Sequence, residues 1–328
     1  MREIKEIDFP TTIPIDTVSY CNLRCSMCTH KDMTRKKGIM EWDLFKKIID
    51  EIAKVDKNTT VWMVFFGEAL LLKKVKPSIF DMISYAKSVG LKYVFLNSNG
   101  VLLDKETSKK VINAGLNAIY IGIDSFSRET YDKVRVGGDY DKVVQNVLDL
   151  IEIRKKEKAA ININVQFVEM EENIKERDEF IKYWLSQGIG VKIRKKLSWA
   201  GLLESKTVND ADAKRHVCYW MMNSMSIIDT GDVSTCACDP NARFIAGNIR
   251  EQSIKEVWNG KLKELRDMHR KGEWDKLPYP CDQCKDWEIS YKDELLRAKE
   301  KNVIEAIKRK IMETVRRIPI IFKLRKKC

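Results

Sequence analysis

The sequence predicts an α/β fold in which a partial (β/α)6 barrel of the TIM type precedes a small cysteine-rich domain made of a β-hairpin and a helix. Between about residues 12 and 197, six short apolar runs alternate with segments of helical periodicity. After about residue 205 this alternation stops, and six of the nine cysteines follow. The chain before Leu202 is too short for eight strand–helix units, so we expect an open barrel.

Each element of the predicted barrel has its own hydrophobic pattern. Candidate strands lie at 13–20, 60–67, 92–98, 118–124, 161–168 and 191–197, and candidate helices lie near 41–55, 76–90, 105–115, 140–157 and 174–188. One apolar stripe of the first helix contains Leu44, Ile48, Ile52 and Val55. Alternation at this pitch predicts parallel strands that are joined by right-handed crossovers.

Three parts of the chain are expected: the barrel at 1–204, the cysteine-rich domain at 205–290 and a basic tail at 291–328. In the second part, "MSIIDTGDVSTCAC" predicts a hairpin that turns at Thr230 and Gly231. A helical pattern over 253–270 follows, and "LPYPCDQC" then forms a proline-rich cysteine knuckle.

The composition is typical of a globular protein of the reducing cytoplasm. Apolar residues make up 44% of the 328, which is ample for a buried core. The start "MREIKEIDFP" lacks the apolar run of a secretory signal, and no run of 18 apolar residues predicts a membrane span. Cysteines in such a chain are metal ligands more often than disulfides.

Positive charge is concentrated in the tail. The net charge is +12, and residues 292–328 hold 13 Lys and Arg against 5 Asp and Glu. A nucleic-acid enzyme would be basic across a whole face, so nucleic acid is not an expected partner. One apolar stripe of the tail contains Ile304, Ile307, Ile311, Val315 and Ile318. This pattern suits a helix at the inner face of a membrane, and the alternative is that the stripe packs against the barrel.

The stretch "CNLRCSMC" places Cys21, Cys25 and Cys28 directly after the first strand, where the loops of a barrel build active sites. Zinc sites and four-iron clusters normally take four protein ligands. The next cysteine along the chain is Cys218. Two arrangements remain: a zinc site that His30 completes, or a metal centre with one open, catalytic position.

The C-x3-C-x2-C spacing after a first strand resembles that of the radical S-adenosylmethionine (radical SAM) superfamily, and the resemblance covers roughly residues 12–200. It implies that the three cysteines hold a 4Fe–4S cluster whose fourth iron binds S-adenosylmethionine (AdoMet). Met27 stands where the family usually has an aromatic residue near the adenine.

Three further strand ends resemble AdoMet-binding motifs of the family in part: "FFGEA" (65–69), "LNSNG" (96–100) and "IGIDS" (121–125). A plain Asn-Gly turn would also explain the second, and Gly122 replaces a serine of many relatives in the third. The candidate AdoMet contacts that the resemblance implies are Met27, Gly67, Glu68, Ser98, Asn99, Asp124 and Gln166.

The C-terminal cysteines predict a second metal site. Cys281 and Cys284 form a C-x2-C pair, and a folded hairpin would bring Cys218 and either Cys236 or Cys238 to it. The arrangement resembles the twitch form of the SPASM domain of some radical SAM enzymes. That resemblance implies one auxiliary 4Fe–4S cluster on Cys218, Cys236, Cys281 and Cys284, and a structural zinc on the same residues is the alternative.

The resemblance implies an enzyme that cleaves AdoMet reductively to a 5′-deoxyadenosyl radical, with an electron from a flavodoxin- or ferredoxin-type donor. An auxiliary cluster that accepts an electron suits oxidation of a small or carbohydrate-like substrate. Only about 12 residues precede the first strand, so we expect no peptide-recognition domain there, which disfavours the alternative of a peptide- or sulfatase-modifying enzyme. A zinc protein that associates with nucleic acid through the tail is the alternative from another class.

The sequence names no catalytic acid or base. Lys192, Arg194 and Lys195 lie on the sixth strand. An inward Arg194 could bind a substrate anion or take a proton from an alcohol carbon that is being oxidised, and solvated strand-end charges are the alternative.

Overall fold

The computed structural model describes residues 6–205 and 214–290, and its larger sheet has six parallel strands in the order β1-β2-β3-β4-β5-β6. The strands are β1 (Thr12–Pro14), β2 (Thr60–Trp62), β3 (Tyr93–Ser98), β4 (Ala118–Gly122), β5 (Asn162–Glu169) and β6 (Gly190–Lys195). Neighbours in the chain are neighbours in the sheet, which is the strand order of a barrel wound in one direction. The predicted partial barrel is confirmed.

Six helices connect and cover these strands: α1 (Trp42–Val55), α2 (Ile79–Ser88), α3 (Lys105–Asn113), α4 (Arg128–Val134), α5 (Tyr140–Glu157) and α6 (Arg177–Ser186). In α1, Leu44, Ile48 and Ile52 are buried as expected. Val55 is 47% exposed, because the helix ends there and the stripe has turned away from the sheet. The sequence reading missed α4, whose seven residues begin where the Ser127 side chain accepts a hydrogen bond from the N–H of Thr130.

The smaller sheet is antiparallel and follows a short helix. Its elements are α7 (Tyr219–Asn223), β7 (Ser226–Ile227), β8 (Asp232–Ser234) and β9 (Ile245–Asn248). The predicted hairpin is confirmed, with Gly231 in the left-handed region at φ 93°. The predicted single helix over 253–270 is two helices, α8 (Ile254–Asn259) and α9 (Lys261–Lys271), because Gly260 interrupts it.

The small sheet continues the barrel beyond its β1 edge. Thr12 forms a parallel bridge with Ser224, and Ile15 forms another with Ile227. The N–H of Met225 also donates to the carbonyl of Thr12 at 3.1 Å. The second cysteine region is therefore attached to the strand that leads into the first.

Two expectations about the chain lie outside the described residues: the basic tail at 291–328 and its membrane-binding helix. Within 6–205 and 214–290, no helix is long and apolar enough to span a bilayer.

Candidate functional site

Cys21, Cys25 and Cys28 line a cavity of about 280 Å³ at the carboxyl end of the parallel strands. Parallel strands collect their following loops at this end, where binding sites are expected. The predicted contacts that also line this cavity are Met27, Gly67, Glu68, Ser98, Asn99 and Gln166. Asp124 is not part of the lining.

The three thiols are close enough to affect one another. Burial is the main cause that raises the pKa of Cys21 to about 12, and the charges of Glu68, Cys25 and Cys28 act in the same direction. Burial also raises the pKa of Cys28. A buried thiol beside other negative charges keeps its proton at neutral pH. Metal binding would displace that proton and form the thiolate. Three such donors around one cavity fit a cluster with an open position.

His30 does not join the three cysteines at this cavity. Its ring Nε2 lies 2.8 Å from the carbonyl oxygen of Ser19, and its backbone N–H donates to Sγ of Cys28 at 3.4 Å. The zinc alternative therefore lacks a fourth ligand here.

The buried carboxylate of Glu68 is the shared acceptor of three hydrogen bonds. Its carboxylate accepts from the N–H of Leu70 at 3.1 Å, the hydroxyl of Ser98 at 3.0 Å and the N–H of Asn99 at 2.7 Å. Burial raises the pKa of Glu68, and these donors oppose that effect. A carboxylate has about four acceptor positions, so this fixed group can still accept one bond from a cationic ligand.

Gly67 is required for a reason that the sequence did not reveal. A Cβ atom at this position would lie 1.9 Å from the carbonyl oxygen of Val18 and 2.8 Å from that of Tyr20. The next residue, Glu68, donates its N–H to the same Tyr20 oxygen at 2.8 Å. The glycine thus lets the Glu68 segment pack directly against the backbone that enters the cysteine loop.

Two amide pairs orient the polar wall of the cavity. Nδ2 of Asn99 donates to Oδ1 of Asn22 at 2.8 Å and lies 4.0 Å from Sγ of Cys21. Nε2 of Gln166 donates to Oδ1 of Asn97 at 2.9 Å. The partner residues, Asn22 and Asn97, were not predicted.

Asp124 contributes to the site through Arg135. It is fully buried at φ 60°, a backbone region that Asp tolerates better than most residues. Oδ1 accepts the N–H of Val168 at 2.6 Å, and Oδ2 accepts Nε of Arg135 at 2.6 Å. Arg135 lines the cavity, and its Nη1 lies 3.5 Å from Sγ of Cys25. The sequence reading missed Arg135, and the only signal was the small residue at 122.

A second cavity holds the C-terminal cysteines. Cys218, Cys236, Cys238, Cys281 and Cys284 all line it. Burial raises the pKa of Cys218, Cys281 and Cys284, and the charge of Cys236 adds to the effect on each. The four cysteines that the resemblance implied therefore line one cavity, an arrangement that suits a fully ligated cluster.

Cys238 lies beside this set. A hydrogen bond between the two side chains raises the pKa of Cys238 next to Cys236, and the N–H of Cys238 lies 3.1 Å from Sγ of Cys236. This N–H would stabilise a thiolate at Cys236, which favours Cys236 over Cys238 as the fourth ligand.

Trp220 lines both cavities, and it comes two residues after Cys218. The first cavity also includes Arg194 and Lys195 of β6, whereas Lys192 does not line it. Lys195 forms an ion pair with Glu169 at the end of β5. Two separate cysteine sites thus share a wall, and the larger one carries cationic groups.

Comparison with known families identifies the same two regions. Residues 15–181 match the family model of the Radical SAM superfamily. Residues 218–285 match the family model of SPASM, an iron–sulfur cluster-binding domain.

Two curated proteins illustrate the similarity. The tungsten-containing aldehyde ferredoxin oxidoreductase cofactor-modifying protein of Pyrococcus furiosus is 27% identical over 179 residues, which are 53% of this chain and 48% of that protein. The AdoMet-dependent heme synthase of Methanosarcina barkeri is 25% identical over 307 residues, covering 79% of this chain and 85% of that protein. The chain thus spans about half the length of the first relative and most of the second.

Solved structures show the shared fold. BtrN in complex with AdoMet and 2-DOIA is 18% identical, with a TM-score of 0.58 over 86% of this chain and 94% of that one. Streptococcus suis SuiB bound to S-adenosylmethionine is 12% identical, with a TM-score of 0.62 over 85% of this chain and 73% of that one.

Proposed function

Because the chain belongs to the radical SAM superfamily and carries a SPASM domain, we propose that it is an AdoMet-dependent enzyme that oxidises a small or carbohydrate-like substrate at a C–H bond. The two domains imply a cluster that binds AdoMet and an auxiliary cluster. Bound together, AdoMet and the first cluster would supply a 5′-deoxyadenosyl radical that removes a hydrogen atom from the substrate.

The residues of the first cavity suit this ligand. Cys21, Cys25 and Cys28 would hold the cluster, and Glu68 would accept a hydrogen bond from the amino group of AdoMet. Arg135 places a positive charge against the Cys25 sulfur, which stabilises negative charge there. The buried carboxylate of Asp124 holds this arginine in place.

The observation that carries the proposal of oxidation is the position of Trp220. Its side chain lines both the cavity of the first three cysteines and the cavity of the others. A hydroxyl-bearing carbon that has lost a hydrogen atom becomes a carbonyl by losing one electron and one proton. Cys218, Cys236, Cys281 and Cys284 would hold the electron acceptor in the second cavity, which shares Trp220 with the first.

The dimensions of the first cavity favour a small substrate. Its volume of about 280 Å³ is slightly below the usual range for ligand sites, roughly 300–1,000 Å³, and AdoMet must share it. Trp199, Trp220 and Ile289 supply apolar walls, and Arg194 and Lys195 supply polar groups that can bind hydroxyl or anionic oxygens. These features suit a polyol better than an extended peptide.

A labelled-substrate assay tests the proposal. Reconstituted protein would be incubated anaerobically with AdoMet, a reductant and a panel of deuterated polyols, aminocyclitols and sugar phosphates. We expect deuterium in 5′-deoxyadenosine together with a carbonyl product for one class. We expect Cys281→Ala to retain AdoMet cleavage and lose the carbonyl product. A Cys281→Ala protein that forms this product at the wild-type rate would show that the second site has no part in oxidation.

A further inference from the structure

The segment after β6 has an unusual backbone. Trp199 lies at φ 51°, Ala200 at φ 55° and Gly201 at φ 88°, so three consecutive residues are left-handed. For a bulky side chain such as tryptophan this conformation is a genuine outlier. Outliers of this kind persist only where the surrounding structure holds them, and they occur most often at functional sites.

Asp286 holds this segment from the second domain. Its side chain is fully buried. Oδ1 accepts the N–H of Ser198 at 2.7 Å, and Oδ2 accepts the N–H of Ala200 at 3.0 Å. Both oxygens of one carboxylate therefore bind the backbone on either side of Trp199. Hydrogen bonds to a charged acceptor are stronger than those between neutral groups, so these two bonds can maintain the strained conformation of Trp199.

Trp199, held in this way, reaches the first cysteine loop. Its Nε1 donates to the carbonyl oxygen of Met27 at 2.8 Å. Its ring packs against Phe66, with centroids 5.6 Å apart and ring planes inclined by 36°. The indole also lines the cavity. Met27 lies between Cys25 and Cys28, so the contact fixes the loop that would carry the cluster.

Asp286 belongs to the other cysteine site, since it follows Cys284 by two residues. A chain of direct contacts thus runs from the second site through Asp286 and Trp199 to Met27. We propose that Asp286 is a positioning residue that fixes Trp199 against the Met27 carbonyl, so that AdoMet binding in the first cavity depends on a carboxylate of the second domain. This inference rests on the proposed function only in taking AdoMet as the ligand of the first cavity.

Asp286→Asn tests this dependence. The asparagine keeps one acceptor oxygen, so one of the two hydrogen bonds to the backbone can remain. Its amide group would point its own N–H at the second backbone N–H, which loses that hydrogen bond and sets two donors against each other. We expect AdoMet to bind about tenfold more weakly in equilibrium dialysis, the equivalent of one hydrogen bond to a charged group. The iron content should stay at the wild-type value. The matched control is Asp282→Asn, which removes the same charge from an exposed residue of the same knuckle and should bind AdoMet like the wild type.

Trp199→Phe provides the second variant, because it keeps an aromatic ring but lacks the indole N–H that donates to the Met27 carbonyl. It does not touch the second cysteine site, so its AdoMet affinity should fall even if Asp286→Asn loses iron. Wild-type affinity in Asp286→Asn at full iron content, or in Trp199→Phe when Asp286→Asn has lost iron, would overturn the positioning role. A wild-type holoprotein that binds no AdoMet would instead refute the proposed function itself.

Discussion

A Cβ atom on Gly122 would lie 1.9 Å from Nη2 of Arg135, so the guanidinium occupies the space that a larger residue at 122 would need. The arginine follows α4, and the glycine ends β4. Packed together, they place a positive charge beside Cys25 inside the cavity. Gly122 therefore leaves the space that allows the Arg135 guanidinium to reach Cys25.

Arg135→Gln should shift the midpoint potential of the first cluster to more negative values. The substitution removes a charge and a hydrogen bond near Cys25, and both stabilise the more negative, reduced state. Potentiometric titration followed by electron paramagnetic resonance measures the shift. Arg128→Gln is the control, because this arginine lies on α4 and is 55% exposed. Equal potentials in wild type and Arg135→Gln would contradict the assigned role.

Gly67→Ala should disrupt the first site. The added methyl group would overlap the Val18 carbonyl oxygen at 1.9 Å, and backbone cannot move aside as a flexible side chain can. Overpacking of this kind costs about 1–3 kcal/mol, so the melting temperature should fall by several degrees. Thermal unfolding of the metal-free protein measures this cost without any influence of the cluster. A melting temperature equal to that of the wild type would show that the backbone contact is not a constraint.

Iron analysis should separate Cys236 from Cys238. Reconstituted wild type should contain about eight irons in two clusters. Cys236→Ser should leave about four, because the second site loses a ligand, and Cys238→Ser should retain about eight. The reverse result would assign the fourth ligand to Cys238 and correct the geometric argument.

Asp16 should make stability depend on pH. Arg35 bridges Asp16 and Asp229 with distances of 2.5 Å to each, so one cation faces two buried carboxylates. Burial raises the pKa of Asp16 from 3.8 to about 7, despite the opposing effect of Arg35. A raised pKa means that the folded state favours the protonated form. The stabilisation is therefore complete below about pH 4 and is lost as the pH rises through about 7.

Thermal unfolding of the metal-free protein between pH 4 and 8 checks this dependence. Asp16→Asn removes the titrating group, so its stability should decline less than that of the wild type over this range. Other titrating groups are common to both proteins, among them His269, whose pKa burial lowers to about 4. The difference between the two curves therefore isolates Asp16. Parallel curves would show that Asp16 does not titrate here.

The elements with strong local patterns were predictable from the sequence. The six strands are apolar runs between helical segments, and the short spacing of the cysteines indicates metal sites. Helix α4 is too short and too polar to give a clear period. Sequence patterns therefore predict the elements whose periodicity or motif spacing lies within one continuous segment of the chain.

The residues that connect the two sites give no such signal. Trp199 meets Met27 across 172 positions, and Asp286 meets Ser198 across 88. Trp220 is recognisable only after the small sheet has joined the β1 edge, because that junction brings the two cavities together. Contacts of this range depend on packing, which no periodicity or motif spacing encodes.

Removal of all three N-terminal cysteines isolates the first cluster. The variant with Cys21, Cys25 and Cys28 replaced by Ala should keep about four of about eight irons, because the second site lies on separate residues. It should also serve as the inactive reference for AdoMet cleavage. An iron content equal to that of the wild type would show that these cysteines do not hold a cluster.

Formation of 5′-deoxyadenosine tests the central claim most directly. Reconstituted wild-type protein, strongly reduced and supplied with AdoMet alone, should release 5′-deoxyadenosine and methionine without added substrate. The triple-cysteine variant should release none, and Cys281→Ala should retain part of the wild-type rate. Wild-type protein with a full complement of iron that forms no 5′-deoxyadenosine under these conditions would contradict the radical mechanism.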